Sequence, residues 1–98
     1  MNLASTAFLA KSLADENRLR ILLYLGNGKK SVSQIVAGLN LSQPLISHHL
    51  KELRRSLLVT VERRGPFVYY GLSDPRIIDI LMFLEKLALE LLTQRTSF

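Results

Sequence analysis

The chain of 98 residues is long enough for one domain but not for a large core, and its hydrophobic content of 48% leaves a small monomer with apolar surface to spare, which favours self-association. Thirteen Lys and Arg against eight Asp and Glu give a net charge of +5, which favours a polyanionic partner, nucleic acid before a membrane. Without cysteine, disulfides, thiol redox sensing and thiolate metal sites are excluded, and without a signal-peptide pattern or an uninterrupted apolar span we expect a cytoplasmic protein.

Two helices are predicted near the start of the chain. Residues 3–13, rich in Ala and Leu, are apolar on more than one side, so this helix needs a second packing partner. Residues 15–17 are predicted to separate this helix from a second one over residues 18–25, which ends at the Gly-Asn-Gly of residues 26–28. Its inward-facing residues are expected to be Leu19, Ile21, Leu22 and Leu23.

Residues 31–39 predict a short capped helix. Ser31 and Gln34 have the S-x-x-Q spacing of a capping box, and Asn40 tolerates the left-handed conformation that ends a helix. The residues expected to face inward are Val32, Ile35, Val36 and Leu39.

A second short helix follows at once in LSQPLISHHLKEL, residues 41–53. Ser42 is a good N-cap, and Leu41 and Ile46 have the spacing of a hydrophobic staple. The buried stripe is expected at Ile46, Leu50, Leu53 and Leu57. Two such helices joined by a three-residue turn form a helix-turn-helix, which we place at residues 31–56.

The opposite face of that helix is polar and basic. Its hydroxyl, amide, imidazole and cationic groups suit hydrogen bonds to base edges and phosphates, and none of them resembles a reaction centre, so an enzyme is not expected. Short capped helix pairs also occur in purely structural bundles, which is the competing interpretation. The DNA-contacting candidates on this helix are Gln43, Leu45, Ser47, His48, Lys51 and Arg55.

After residue 57 the pattern changes from helical to alternating. Residues 59–63 and 68–72 predict two short strands, and the Arg-Gly-Pro-Phe between them is a turn signal, so residues 59–72 form a hairpin. Arg63 and Arg64 lie at or beside its tip. Next to a recognition helix, this hairpin is the wing of a winged helix-turn-helix, and its arginines are further DNA-contacting candidates, the alternative being that they are merely solvated.

The last helix is predicted to open at Ser73 and Pro75 and is apolar over more than half of its circumference. One side of this helix can pack on the domain, and a second chain is needed to bury its remaining apolar surface. We therefore expect a homodimer joined through residues 1–14 and 75–95, the alternative being intramolecular packing of the two terminal helices. Residues 93–98 are expected to fray.

Three segments together carry a resemblance: SLADENRLRILLYL, SQPLISHHLKELRRSLLV and ERRGPFVYYGL. In this order they resemble the ArsR/SmtB-type family of small winged-helix regulators. The resemblance implies a mainly α fold with a small β-hairpin, in the order α-α-α-α-β-β-α, and a homodimer that binds an imperfect inverted repeat and dissociates when an inducer binds. It also matches Gln43, Ser47 and His48 to positions that face the major groove, and Arg63 and Arg64 to the wing.

Departures from the family pattern argue against metal sensing. Many relatives sense metals through a C-x-C motif in the helix that corresponds to residues 31–39, and this chain has no cysteine there. A second metal site would need Asp79 with Glu85 or Glu90, but no histidine accompanies these carboxylates. His48 and His49 are adjacent and point about 100° apart on a helix, so they cannot share one ion. We expect neither metal nor cofactor, and a hydrogen-bonded, partly buried ring for His49.

The leading hypothesis is a sequence-specific DNA-binding repressor that acts as a homodimer on an inverted-repeat operator. A second hypothesis makes the chain a winged-helix protein-interaction module without specific DNA binding. The signal that regulates DNA binding could be a small apolar ligand, a protein effector or the concentration of the protein alone. A cavity for such a ligand between the helices of the dimer could be lined by Phe8, Tyr24, Met82 and Phe83, the alternative being that these are simply core residues.

Overall fold

The structure, a computed structural model, describes residues 1–96. The elements are α1 (Leu3–Leu13), α2 (Glu16–Leu25), α3 (Val32–Leu39), α4 (Gln43–Arg55), β1 (Val59–Arg64), β2 (Phe67–Leu72) and α5 (Arg76–Thr96). This order confirms the predicted α-α-α-α-β-β-α arrangement, a winged helix-turn-helix.

The hydrophobic core lies between α2, α3, α4, β1 and the start of α5, and Leu, Ile and Val side chains build it. Each such side chain contributes about 1.5–3 kcal/mol when it is fully buried. The buried members are Ile21, Leu22, Leu25, Ile35, Ile46, Leu50, Leu53, Leu58, Val59, Ile77 and Leu81. The core therefore holds the helix-turn-helix and the root of the hairpin as one unit.

The second helix differs from its prediction at two points. It begins at Glu16, because Asp15 is its N-cap and its carboxylate accepts a hydrogen bond from the Arg18 N–H at 3.0 Å. Leu23 is 50% exposed, so the inward orientation expected for it is wrong. At 3.6 residues per turn, Leu23 lies about 150° from the centre of the face that Ile21, Leu22 and Leu25 bury.

The buried face predicted for α4 is wrong at its last residue, Leu57. The helix ends at Arg55, and Leu57 has a φ of 67° and is 76% exposed, so it does not belong to the buried face. The Leu57 N–H donates to the Arg54 carbonyl and the Leu58 N–H to the Leu53 carbonyl, both at 3.0 Å. These are the two bonds of a Schellman motif, with leucine at the position that glycine usually takes.

The hairpin is longer by one residue on each side than predicted. Its strands are antiparallel, Val59 pairs with Leu72 and Arg64 pairs with Phe67, so the turn contains only residues 65 and 66. Gly65 has a φ of 60°, which suits the first central position of a two-residue hairpin turn. The backbone of Lys30 is paired with Tyr70 by hydrogen bonds of 2.9 and 2.7 Å, which fasten the α2–α3 loop to β2.

The terminal helices leave most of their apolar side chains exposed. Ser12 is the buried residue of α1, and Ile77 and Leu81 are the buried residues of α5 within the described part of the chain. The exposed large side chains on these helices include Leu3, Phe8, Leu9, Ile80, Met82, Phe83, Leu84, Leu87, Leu89, Leu91 and Leu92. Intramolecular packing of α1 on α5, the alternative considered above, does not bury these side chains.

Two further predictions concern the end of the chain and the membrane. The fraying expected for residues 93–98 stays a prediction: α5 continues to Thr96, and residues 97 and 98 lie outside the described residues. Within residues 1–96, none of the helices combines the length and the hydrophobicity needed to span a bilayer.

Candidate DNA interface

Helix α4 presents its polar face to solvent. As predicted, the Ser42 hydroxyl caps it by accepting from the Leu45 N–H at 3.4 Å, and Pro44 lies in the first turn. Ile46, Leu50 and Leu53 are buried on the inner face. Of the helical candidates, Leu45 is half-buried, and the fully exposed ones are Gln43, Ser47, His48, Lys51 and Arg55.

A buried histidine anchors α4 to α2. His49 is 5% exposed, and its Nδ1 accepts a hydrogen bond from the Arg18 guanidinium Nε at 3.2 Å. The ring is therefore neutral with its proton on Nε2, which lies 3.8 Å from the Asp15 carboxylate. Burial lowers the pKa of His49 from its ordinary value, more than the Asp15 charge raises it. The predicted hydrogen-bonded ring is confirmed.

Hydrogen bonds hold both ends of α3. The capping box is present: the Ser31 hydroxyl accepts from the Gln34 N–H at 3.2 Å, and the Gln34 side chain accepts from the Ser31 N–H at 2.8 Å. Asn40 has the left-handed φ of 54° expected for it. From α2, the Arg20 guanidinium donates to the Leu39 carbonyl at the C-terminus of α3, at 2.9 Å. These bonds fix both ends of α3 and tie the end from which the chain enters α4 to α2.

A basic groove of about 420 Å³ runs between α4 and β2. Its wall from α4 carries the cations Lys51, Arg54 and Arg55, and Tyr70 of β2 faces them. Arg54 and Tyr70 are missing from the candidates chosen from sequence. Arg54 continues the i, i+7 row from Ser47, which is the signal that could have found it, whereas only the fold brings Tyr70 to α4.

The two wing arginines lie on opposite faces of the hairpin. Successive strand residues alternate, so Arg63 shares a face with Val61 and its partner Tyr70, on the side of the groove. Arg64 lies on the other face, where its Nε donates to the Glu62 carboxylate at 2.9 Å and its guanidinium lies 5.7 Å from the Tyr69 ring centroid.

Glu62 joins the wing to the α2–α3 loop. Its carboxylate pairs with the Lys29 ammonium as well as with Arg64. Hydrogen bonds from Lys29 and then Arg64 lower the pKa of Glu62, and the same carboxylate raises the pKa of Arg64. Arg64 is thus ion-paired within the protein, not simply solvated.

Comparison with known proteins assigns the chain to a family. The sequence profile described as "Bacterial regulatory protein, arsR family" matches residues 15–61, from the N-cap of α2 into β1. The transcriptional activator HlyU of Vibrio cholerae serotype O1 is 36% identical over 86 residues, which cover 88% of this chain and 80% of HlyU. The chain belongs to the ArsR family.

Other ArsR-type relatives agree with this assignment. The transcriptional repressor SdpR of Bacillus subtilis is 35% identical over 69 residues, 70% of this chain and 77% of SdpR. The NMR structure of the homodimeric winged helix-turn-helix DNA-binding domain of Mb0332 from Mycobacterium bovis matches with a TM-score of 0.79 and 27% identity, covering 90% of this chain and 82% of that one. The chain is therefore a DNA-binding transcriptional regulator, and its family is not one of enzymes.

Within one subunit, the four residues considered for a ligand cavity of this ArsR protein do not come together. Tyr24 packs on α3, where its hydroxyl donates to the Gln34 carbonyl at 3.4 Å and its ring fills the space over Gly38. Phe8, Met82 and Phe83 are instead exposed on α1 and α5. Within residues 1–96, no three His, Asp or Glu side chains come together as a metal site would require.

Proposed function

We propose that this ArsR protein is a repressor that acts as a homodimer on an inverted-repeat operator. One observation carries the proposal: α4 buries one side firmly and offers exposed amide, hydroxyl, imidazole and cationic groups on the other. That combination holds a reading surface at a fixed angle while it leaves every donor and acceptor accessible to base edges.

The exposed terminal helices support the dimer. On α5 an apolar groove of about 380 Å³ is lined by Ile80, Phe83, Leu84 and Leu87, with Asp79 at its edge. An exposed apolar surface of this extent is unusual on a monomer and typical of an interface between subunits. Because the relative Mb0332 is homodimeric, we place the two-fold axis at α1 and α5.

We assign the candidate residues to two kinds of contact. Gln43, Ser47 and His48 would read base edges in the major groove, and Leu45 would touch a thymine methyl group. The phosphate contacts would come from Lys51, Arg55, Arg63 and Arg64. Phosphate contacts fix register and give affinity, whereas base contacts give sequence preference.

Repression follows from occupancy, since a dimer seated on an operator excludes the transcription machinery from the same DNA. A small-molecule or protein effector that changes the angle between subunits would release it. A regulator of this kind works beside the chromosome, so the proposal includes the cytoplasmic location expected from the sequence.

Selection of bound duplexes from a random pool tests the proposal. We expect an inverted repeat whose half-sites are centred about 10 to 10.5 base pairs apart, or a multiple of that distance, because the two α4 helices must enter major grooves on one face of the duplex. Enrichment of no sequence, or of a single unrepeated half-site, would overturn it. Placing the selected site over a promoter then tests repression directly.

A further inference from the structure

The one buried side chain of α1 is polar. Ser12 is 7% exposed, and its hydroxyl oxygen lies 2.8 Å from the hydroxyl oxygen of Ser56, which is 4% exposed. Forty-four residues separate the two serines along the chain. Replacing both partners of a buried hydrogen bond by apolar groups of similar shape can be nearly neutral for stability, so simple packing does not require two serines here.

The direction of the bond can be assigned. The Ser56 hydroxyl donates its one proton to the Leu53 carbonyl at 3.0 Å, so Ser12 must be the donor to Ser56. Ser56 is also the C-cap of α4. The chain of bonds therefore runs from α1 through Ser56 into the last turn of the recognition helix.

We propose that Ser12 and Ser56 are positioning residues that fix the recognition helix relative to the dimerisation helix and thereby set the half-site spacing the dimer accepts. The inference rests on the proposed function, in which α1 belongs to the two-fold interface. His49 already ties the middle of α4 to α2, and the Ser12–Ser56 bond ties its C-terminus to α1. Together they hold the reading surface at two points.

Spacing is the property that this bond would control. Inserting one base pair between half-sites moves one of them by about 3.4 Å and rotates it by roughly 34° about the duplex axis. A dimer with rigidly held α4 helices rejects such a site. When α4 can tilt relative to α1, the dimer adapts and its preference for one spacing weakens.

The experiment measures affinity for the selected operator and for versions with one base pair added or removed. The variants are Ser12→Ala, Ser56→Ala and the double variant. Alanine is the best helix former, so Ser12→Ala leaves α1 intact, and it also leaves the Ser56–Leu53 bond in place. Ser33→Ala is the matched control, since this exposed hydroxyl lies 3.1 Å from another serine, Ser31.

In each single variant we expect the ratio of affinities for native and altered spacing to fall by up to about tenfold, the fold-change that the net contribution of one hydrogen bond allows. The double variant should lose no more of this ratio than Ser56→Ala alone, because the Ser12–Ser56 bond is already absent from either single variant. Dimerisation, measured by sedimentation, should change little in these variants, as should the affinity for the operator of native spacing. Ser33→Ala should keep the wild-type ratio of affinities for native and altered spacing.

An unchanged spacing ratio in folded, dimeric Ser12→Ala protein overturns the inference, because the bond is then only structural. Should Ser56→Ala lose its helix cap and unfold, Ser12→Ala alone decides. A wild-type protein that is monomeric, or that selects no repeat, overturns the proposed function itself, and this is measured before any variant is made.

Discussion

The adjacent histidines of α4 lie in opposite environments. His49 is buried and accepts from Arg18, whereas His48 is exposed. Successive helix residues differ by about 100°, so one dipeptide supplies both an anchor for the helix and a group that can face DNA. Periodicity alone predicted this division, but not that Arg18 would be the partner of His49.

The buried ring gives the protein a pH-dependent stability. The pKa of His49 is lowered by burial, with Arg18 and His48 acting in the same direction and Asp15 against it. The unfolded chain therefore gains a proton near the ordinary value of 6.5, while the folded ring resists it. We expect the free energy of unfolding to be highest above that pH and to fall as the pH drops from 6.5 towards the lowered pKa.

Urea unfolding between about pH 7.5 and 5 measures this dependence. His49→Gln should flatten the curve in that window, and His48→Gln, which removes only the smallest of the causes that lower the pKa of His49, should flatten it far less. The Asp15 carboxylate, whose pKa is lowered chiefly by the Arg18 N–H bond, loses its contribution only as the pH falls through 3.8 and below. A wild-type curve without slope beneath pH 6.5 would contradict the assignment.

Substitution of His48 and substitution of Arg63 should weaken DNA binding in different ways. His48→Ala should cost about 1–3 kcal/mol on the selected operator and little on random DNA, because it removes a base contact. Arg63→Ala should weaken both alike and reduce the slope of log affinity against log salt by about one, because it removes a phosphate contact. Titrations at several salt concentrations separate them, and equal losses on both DNAs for both variants would refute the division.

At the scale of elements, the parts predicted best are those fixed by neighbours in sequence. The capping box of α3, the left-handed Asn40 and the Ser42 cap involve bonds across three residues or fewer. The end of α4 was missed because no glycine marks it: Leu57 takes the left-handed position. Local pattern predicted five helices and a hairpin, since each has its own hydrophobic period and its own start and stop signals.

The contacts between elements could not be predicted. The Lys30–Tyr70 bridge and the Lys29–Glu62 ion pair join residues more than thirty positions apart, and nothing in the local pattern links them. They decide which way the wing faces. For the same reason Tyr70, read from sequence as an ordinary strand residue, turns out to line the basic groove beside Arg54.

The ion pairs of the wing lead to a prediction for Glu62. Its carboxylate holds Arg64 and Lys29 in the way a phosphate would, so it competes with DNA for both cations. Glu62→Gln should strengthen binding to all sequences by a few-fold and steepen the salt dependence by up to about two units, since each of the two freed cations can add about one phosphate contact. The melting temperature should change little, because exposed ion pairs stabilise weakly.

Filter binding at several salt concentrations tests this, with Glu90→Gln as the control that removes the same charge from α5. A Glu90→Gln gain as large as that of Glu62→Gln would mean that net charge alone is responsible. Weaker binding by Glu62→Gln would show that the carboxylate orients the wing and that this outweighs its competition with DNA.

At the scale of the whole molecule, one chain is less compact than its length allows. Its radius of gyration is 15.0 Å and its extents are 55 × 33 × 22 Å, whereas a compact domain of about 100 residues has a radius near 13 Å. The excess comes from α5, whose side chains after Leu81 are almost all exposed up to residue 95. We expect a second copy of the chain to cover a protruding apolar helix of this kind.

Charge placed on α5 should separate the subunits. Phe83 is 72% exposed and lines the apolar groove of α5, so Phe83→Glu should leave the fold intact while burying a charge at the proposed interface. Sedimentation at micromolar concentration should then show a monomer, and the melting temperature should no longer rise with protein concentration. Operator affinity should fall by about 10²-fold or more, because the second half-site is no longer bound as part of one molecule.

The control is Phe67→Glu, the same change on the wing, where Phe67 is 60% exposed. This variant should stay dimeric. A Phe83→Glu protein that sediments as wild type would place the two-fold interface elsewhere.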